Sequence, residues 1–255
     1  MKALFMTSQL TKLIKDANGN KIPVGCHNSN GLVDKLRENV KSINKFVFIA
    51  SDPDNFERTD NRSQATIKAL EIENLPIKKL VLIDHRFIGD IKQEILSADM
   101  VFLAGGHVPT QNEYFKEIDL KAILKEYKGV VVGQSAGSMN CSKKVYAQPE
   151  SEDEFNNPNF NKFISGLELT NIIMMPHMNR AKTDELCGTT TYEMCLKDSF
   201  DCPHYGVSDG GYILIKDGVA TAFGKTVYFK EGKEKVLCED GQSVVLEDNQ
   251  AIYDK

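Results

Sequence analysis

A serine set between two glycines, Gly133-Gln134-Ser135-Ala136-Gly137, follows directly on the apolar run 130–132 and leads into a helix-like stretch. That is the setting of a nucleophile elbow, in which the serine occupies a strained turn and the residues two before and two after it must be tiny so that the backbones can approach. A shuffled chain of this composition would show the bare pattern with a probability of about 0.07, so the strand-to-helix placement carries the reading against an ordinary glycine-rich turn. A serine hydroxyl is a poor nucleophile unless a neighbouring imidazole takes its proton. His177 is the candidate base, because Pro176 biases Met175 toward extended backbone and ends the run 172–175, leaving His177 at a strand's carboxyl edge. Of the other four histidines, His27 and His85 follow other segments, His107 lies beside a glycine pair, and His204 follows Pro203 in a loop-like stretch.

Two further parts are needed. The run 100–104 ends in Gly105-Gly106, a turn that can aim backbone N–H groups at an anion with no side chain in the way. One N–H from this turn and that of Ala136 would make an oxyanion hole. A carboxylate must orient the imidazole, and the acidic segment around Glu150, Glu152, Asp153 and Glu154 lies between serine and histidine; a solvated acidic loop is its plainer reading.

The elements that must position these groups are short β-rich bursts at 3–6, 46–50, 80–83, 100–104, 130–132 and 172–175. Helix-like segments at 31–42, 61–74, 87–97, 111–127, 136–144 and 183–197 separate them, each long enough for a crossover between parallel strands. The pattern predicts a three-layer, open and mainly parallel α/β sheet. Its carboxyl edge is where a site would form. Past residue 205 the texture changes: 211–223 reads as two strands around Lys216-Asp217-Gly218, and a turn at 231–234 continues a C-terminal hairpin meander. The segment 149–161 interrupts the fold without dividing it, so residues 1–255 are read as one α/β domain.

Composition excludes other classes. Lys+Arg 31 against Asp+Glu 36 gives a net charge of -5, which leaves no basic field for a nucleic acid or an anionic membrane. The longest apolar runs are about five residues, far short of a bilayer span. The start of the chain lacks the apolar core of a secretory signal, so a cytoplasmic location and reduced thiols are expected for the six cysteines. Cys187, Cys195, Cys202 and His204 gather in one stretch, but their spacing matches no paired-ligand pattern, and no metal site is read there. The chemistry calls for no cofactor.

Taken in order, Ala50-Ser51-Asp52-Pro53, Ala104-Gly105-Gly106, Gly133-Gln134-Ser135-Ala136-Gly137, Pro176-His177 and Ser208-Asp209-Gly210 resemble the dipeptidase E and cyanophycinase family of serine peptidases, on the class I glutamine amidotransferase-like, flavodoxin-like fold. The resemblance covers most of 46–224. It implies Ser135 as nucleophile, His177 as base, Gly106 and Ala136 as oxyanion donors, and an acid some fifteen positions after the serine, which lands on Glu150 with Glu152 as alternative. It also implies a small peptide substrate, with a preference for Asp-Xaa, and is compatible with a homodimer. The chain departs from dipeptidase E at His107, where that enzyme has Asn, at Gln134, where it has Trp, and in a Glu for an Asp as the acid. His107, Gln134 and Arg180 are therefore the candidate substrate-binding residues, Arg180 being the basic residue nearest His177 in sequence. Rival readings are an α/β-hydrolase esterase with His204 as base, and a catalytically inactive small-molecule-binding relative. A glutamine amidotransferase would want cysteine where Ser135 stands.

Overall fold

Five apolar segments form the parallel heart of the protein, side by side in the order Ile77–Ile83, Ile43–Ile49, Met100–Leu103, Val130–Gln134 and Ala3–Thr7. The computed structural model describes residues 1–246; residues 247–255, the end of the single-domain reading, lie outside the described residues. Side chains alternate across a strand, so each strand feeds two cores. Phe5, Phe46, Phe48 and Phe102 face the helices Leu32–Asn39 and Phe56–Ile72. Leu4, Met6, Val47, Ile49 and Val131 face the helices Ile91–Leu96, Val108–Glu117 and Leu120–Glu126. Burial on both faces is what a parallel sheet requires, and the result is the three-layer, mainly parallel α/β fold that the sequence predicts.

Beyond Ala3–Thr7 the sheet turns antiparallel, adding Tyr212–Lys216, Val219–Phe223 and Ser243–Val245. Asp217 and Gly218 supply the two positive φ angles, 49° and 75°, of the tight hairpin turn. The meander does not continue in this sheet. The second hairpin, Thr226–Lys230 with Lys233–Cys238, joins a separate four-stranded sheet with His204–Val207 and Met174–Met175. The run 172–175 therefore belongs to this second sheet and not to the main one. It contributes a strand of only two residues.

Other segments differ in extent. The helix expected over 136–144 stops after Ala136–Met139, because Lys144–Tyr146 leaves to pair with Phe163–Ser165. The segment 111–127 divides into two helices at Asp119, whose φ is 50°. Residues 149–161 carry a short helix, Glu152–Asn156, capped by the Ser151 hydroxyl on the Glu154 N–H. The hairpin Thr11–Lys15/Lys21–Cys26 has no counterpart in the sequence reading; Asp16 closes its turn by accepting from the Asn18 and Asn20 N–H groups. Among the described residues no helix is long and apolar enough to cross a membrane.

Candidate active site

Ser135 stands where Val130–Gln134 hands over to Ala136–Met139, with φ 52° and ψ −116°, a conformation that L-residues adopt only when the surroundings enforce it. The enforcement is visible. A Cβ on Gly133 would lie 2.7 Å from the Ser138 nitrogen, and one on Gly137 would collide with the Leu103 carbonyl oxygen. The Ser135 N–H donates to the Thr7 carbonyl at 3.0 Å, and the Ser138 hydroxyl donates to the same oxygen at 2.8 Å. The elbow is thus bolted to the end of the central strand.

The imidazole arrives from the second sheet. Met174–Met175 and His204–Val207 are parallel neighbours, with Met174 opposite Tyr205 and Met175 opposite Gly206. Continuing two residues past the end of each strand brings His177 beside Asp209. The His177 Nδ1–H donates to Asp209 Oδ1 at 2.6 Å, and the Ser135 hydroxyl donates to His177 Nε2 at 3.1 Å. Burial alone would push the Asp209 carboxyl up, but hydrogen bonding and charge interaction with His177, with help from Ser8 and Arg180, hold it down to about 2. The relay opens onto a cleft of about 600 Å³ lined by Gly106, Gln134, Ser135, Glu150, His177 and Arg180, among others.

The glycine turn stands against the elbow: a Cβ on Gly105 would lie 3.2 Å from the Ser135 Cβ, and one on Gly106 would strike the Ser51 hydroxyl. Arg62 Nη1 donates to the Gly105 carbonyl oxygen. In a planar trans peptide the following N–H points the opposite way, so Arg62 fixes the direction of the Gly106 N–H. Ala136 opens its helix, where the first N–H groups have no acceptor within the helix. Burial, then the neighbouring charge of Arg58, lowers the Arg62 guanidinium to about 10. Arg58 lines the same cleft from the same helix face.

The carboxylate on His177 is Asp209 and not Glu150, because parallel strand register delivers Asp209 to Nδ1 and that nitrogen carries a single N–H. Glu150 instead lines the cleft, where burial raises its carboxyl and His107 and the Val108 N–H partly offset the rise. Glu152 is exposed at the start of its short helix. His107 is engaged on both ring nitrogens, with Nδ1 2.8 Å from the Thr110 hydroxyl and Nε2 2.7 Å from Glu154 Oε1. Gln134 Oε1 accepts from the Leu10 N–H at 3.0 Å, tying the elbow to the base of the N-terminal hairpin. Arg180 lines the cleft while its Nε donates to Asp184 at 3.0 Å. The sequence reading missed Asp209, Arg58 and Arg62. For Asp209 a signal existed: it lies in the Ser208-Asp209-Gly210 stretch, one of the motifs that carry the family resemblance, although the strand before it, His204–Val207, reads as a loop in the sequence. His204, the base of the esterase reading, is fully buried between Tyr146 and Phe229.

A serine on a strained elbow, an imidazole within hydrogen-bond reach of it and a carboxylate behind the imidazole, all at the carboxyl edge of a mainly parallel sheet, define the serine hydrolase class of α/β proteins. Within that class, the chain belongs to peptidase family S51, whose model matches residues 27–223, and is a serine-type peptidase of the dipeptidase E kind. Its fold is similar to that of a peptidase from an acI-B1 actinobacterium, with a TM-score of 0.66 at 15% identity over 96% of this chain and 97% of that one. It is also similar to a protein assigned as peptidase E from Listeria monocytogenes EGD-e, with a TM-score of 0.58 at 18% identity over 93% of this chain and 100% of that one. No curated protein matches the chain.

Proposed function

We propose that this protein hydrolyses short peptides through an acyl-enzyme, with Ser135 as nucleophile, His177 as general base and Asp209 as the group that orients the imidazole. Ser135 Oγ attacks the scissile carbonyl as His177 Nε2 takes its proton. The oxyanion is met by the N–H groups of Gly106 and Ala136. His177 then gives the proton to the leaving amine, and water repeats the sequence on the ester. Asp209, held ionised, stabilises the imidazolium without accepting its proton. The observation that carries this reading is the unbroken relay, 2.6 Å and 3.1 Å, opening onto the cleft.

The preference is for an acidic residue on the acyl side, Asp-Xaa. Arg58 supports it: the guanidinium lines the cleft beside Gly106, and Arg62, one helical turn away, is already committed to the Gly105 carbonyl. The reading places the protein in the cytoplasm, where its free thiols stay reduced. The deciding experiment compares the protein with its Ser135→Ala and His177→Ala variants on a dipeptide panel, alongside labelling by a fluorophosphonate. Losses of about 10⁴ to 10⁶ in turnover and loss of labelling in Ser135→Ala are expected. Wild-type turnover in either folded variant overturns the mechanism. Tight metabolite binding without labelling of the unmodified protein would instead favour the inactive relative.

A further inference from the structure

Ser8 is the first residue after the central strand Ala3–Thr7, and its side chain is fully buried. Its hydroxyl has two partners in the site. It donates to Asp209 Oδ1 at 2.7 Å, and it accepts from the His177 backbone N–H at 2.8 Å. The direction of both bonds is fixed by chemistry, because an ionised carboxylate can only accept and a backbone N–H can only donate. The one proton of the hydroxyl therefore points at the same Oδ1 that receives the His177 Nδ1–H.

The second bond matters as much. His177 has φ 60°, a left-handed conformation that is uncommon outside glycine and costs energy unless neighbours hold it. The Ser8 bond to its N–H and the bond from the Arg180 N–H to its carbonyl, at 3.1 Å, brace that conformation from both sides. The adjoining Thr7 carbonyl holds the Ser135 N–H. Residues 7 and 8 of one strand end thus touch all three segments of the relay.

We propose that Ser8 is a positioning residue of the peptidase site, which sets the place of the His177 ring through its backbone and moderates the grip of Asp209 on that ring. The proposal rests on the Ser135–His177–Asp209 reading given above. It predicts a specific signature. In Ser8→Ala, Oδ1 loses one of its two donors, so its charge is shared less and it stabilises the imidazolium more strongly. The imidazolium then forms more readily, and the acidic limb of the kcat/KM profile moves to higher pH. The other charged groups facing His177 are Arg180 on its own loop and His27, which lies close enough to interact with both His177 and Asp209; neither bonds to Ser8, so both are constant between variants.

The test measures peptide hydrolysis from pH 5 to 9 for the unmodified protein, Ser135→Ala, Ser8→Ala and Ser8→Thr, with circular dichroism to establish folding. Expected for Ser8→Ala is a fall in kcat of about 10- to 100-fold, as for other supporting residues, with KM changed less than about twofold. Its acidic limb should rise by roughly half a unit, the equivalent of one ordinary hydrogen bond. Ser8→Thr, which keeps the hydroxyl, should restore the unmodified limb. Should Ser8→Ala not fold, Ser8→Cys, a weak donor, is read in its place and should shift the limb in the same direction. A folded Ser8→Ala with unchanged kcat and limb overturns the proposal, as does an unshifted limb with equal losses in Ala and Thr, which would mark a packing role. These outcomes are distinct from failure of the underlying reading, which would show as turnover that survives Ser135→Ala.

Discussion

His177 Nδ1 and Asp209 Oδ1 stand 2.6 Å apart although 32 positions separate the two residues in the chain. Strand register explains the meeting, and it leads to the sharpest test of the carboxylate assignment. Asp209→Asn should keep the geometry but offer an amide where the imidazole needs a carboxylate, and turnover should fall by about 10⁴. Glu150→Gln, on the cleft wall, should leave turnover within about tenfold, since its carboxyl makes no bond to His177. Steady-state kinetics on one dipeptide checks both. A large loss for Glu150→Gln with little for Asp209→Asn would return the acid to the segment between serine and histidine.

Arg62 offers a second test. Its bond to the Gly105 carbonyl orients the next N–H, so if that N–H serves the proposed oxyanion hole, Arg62→Gln should loosen it without removing it. Complete loss of such a donor costs about 10² to 10³ in kcat. A fall of about tenfold or more, appearing in kcat and not in KM, is expected from initial-rate measurements. A pure KM effect would make Arg62 a substrate contact instead.

Arg58 lines the cleft beside Gly106. If it reads an acidic side chain, the protein should favour Asp-Xaa over Asn-Xaa by about 10- to 100-fold in kcat/KM, the range of a hydrogen bond to a charged group. Arg58→Gln should collapse that ratio toward one while Asn-Xaa cleavage changes little. Paired competition assays measure the ratio directly. A ratio unmoved by the substitution would transfer the role to Arg180 or remove the preference.

Much of this was legible in the residues. The parallel strands declare themselves as apolar bursts because both faces of the sheet are covered, and G-x-S-x-G is visible because each glycine avoids a backbone collision. The Gly105-Gly106 turn follows from the rule that loops at carboxyl strand ends surround the site, and His177 obeys it too, although the strand it leaves belongs to the second sheet. Asp209 obeys the same rule, but its own strand, His204–Val207, opens with a histidine after Pro203 and reads as a loop, so no local pattern marks it as the parallel neighbour of Met174–Met175. The division of the meander between two sheets was hidden for a related reason: each hairpin is local, whereas the sheet it joins is a matter of long-range pairing. Ser8 and Arg62 bond to neighbours 169 and 43 positions away, which no local pattern encodes.

The last prediction concerns stability and the imidazole that the relay does not use. His204 is fully buried, stacked on Phe229 with ring centres 5.1 Å apart and 4.8 Å from the Tyr146 ring. Its Nδ1–H donates to the Cys202 carbonyl at 2.7 Å, while Nε2 has no partner among the described residues. Burial lowers the ring to about 4, against 6.5 in an unfolded chain, with the Cys202 carbonyl and Asp198 opposing the shift. The folded state therefore resists a proton that the unfolded state accepts. Stability from this group is intact above about pH 6.5 and declines as pH falls toward 4, by about 3 kcal/mol in all. His204→Phe, which keeps a ring in the stack and removes the titration, should show a correspondingly smaller loss of stability between pH 7 and pH 4. Urea unfolding at several pH values measures both curves, and the acidic groups common to the two proteins cancel in the difference. Parallel curves would mean that His204 takes up its proton in the folded protein as readily as in the unfolded chain, and that water or a rearranged neighbour reaches Nε2.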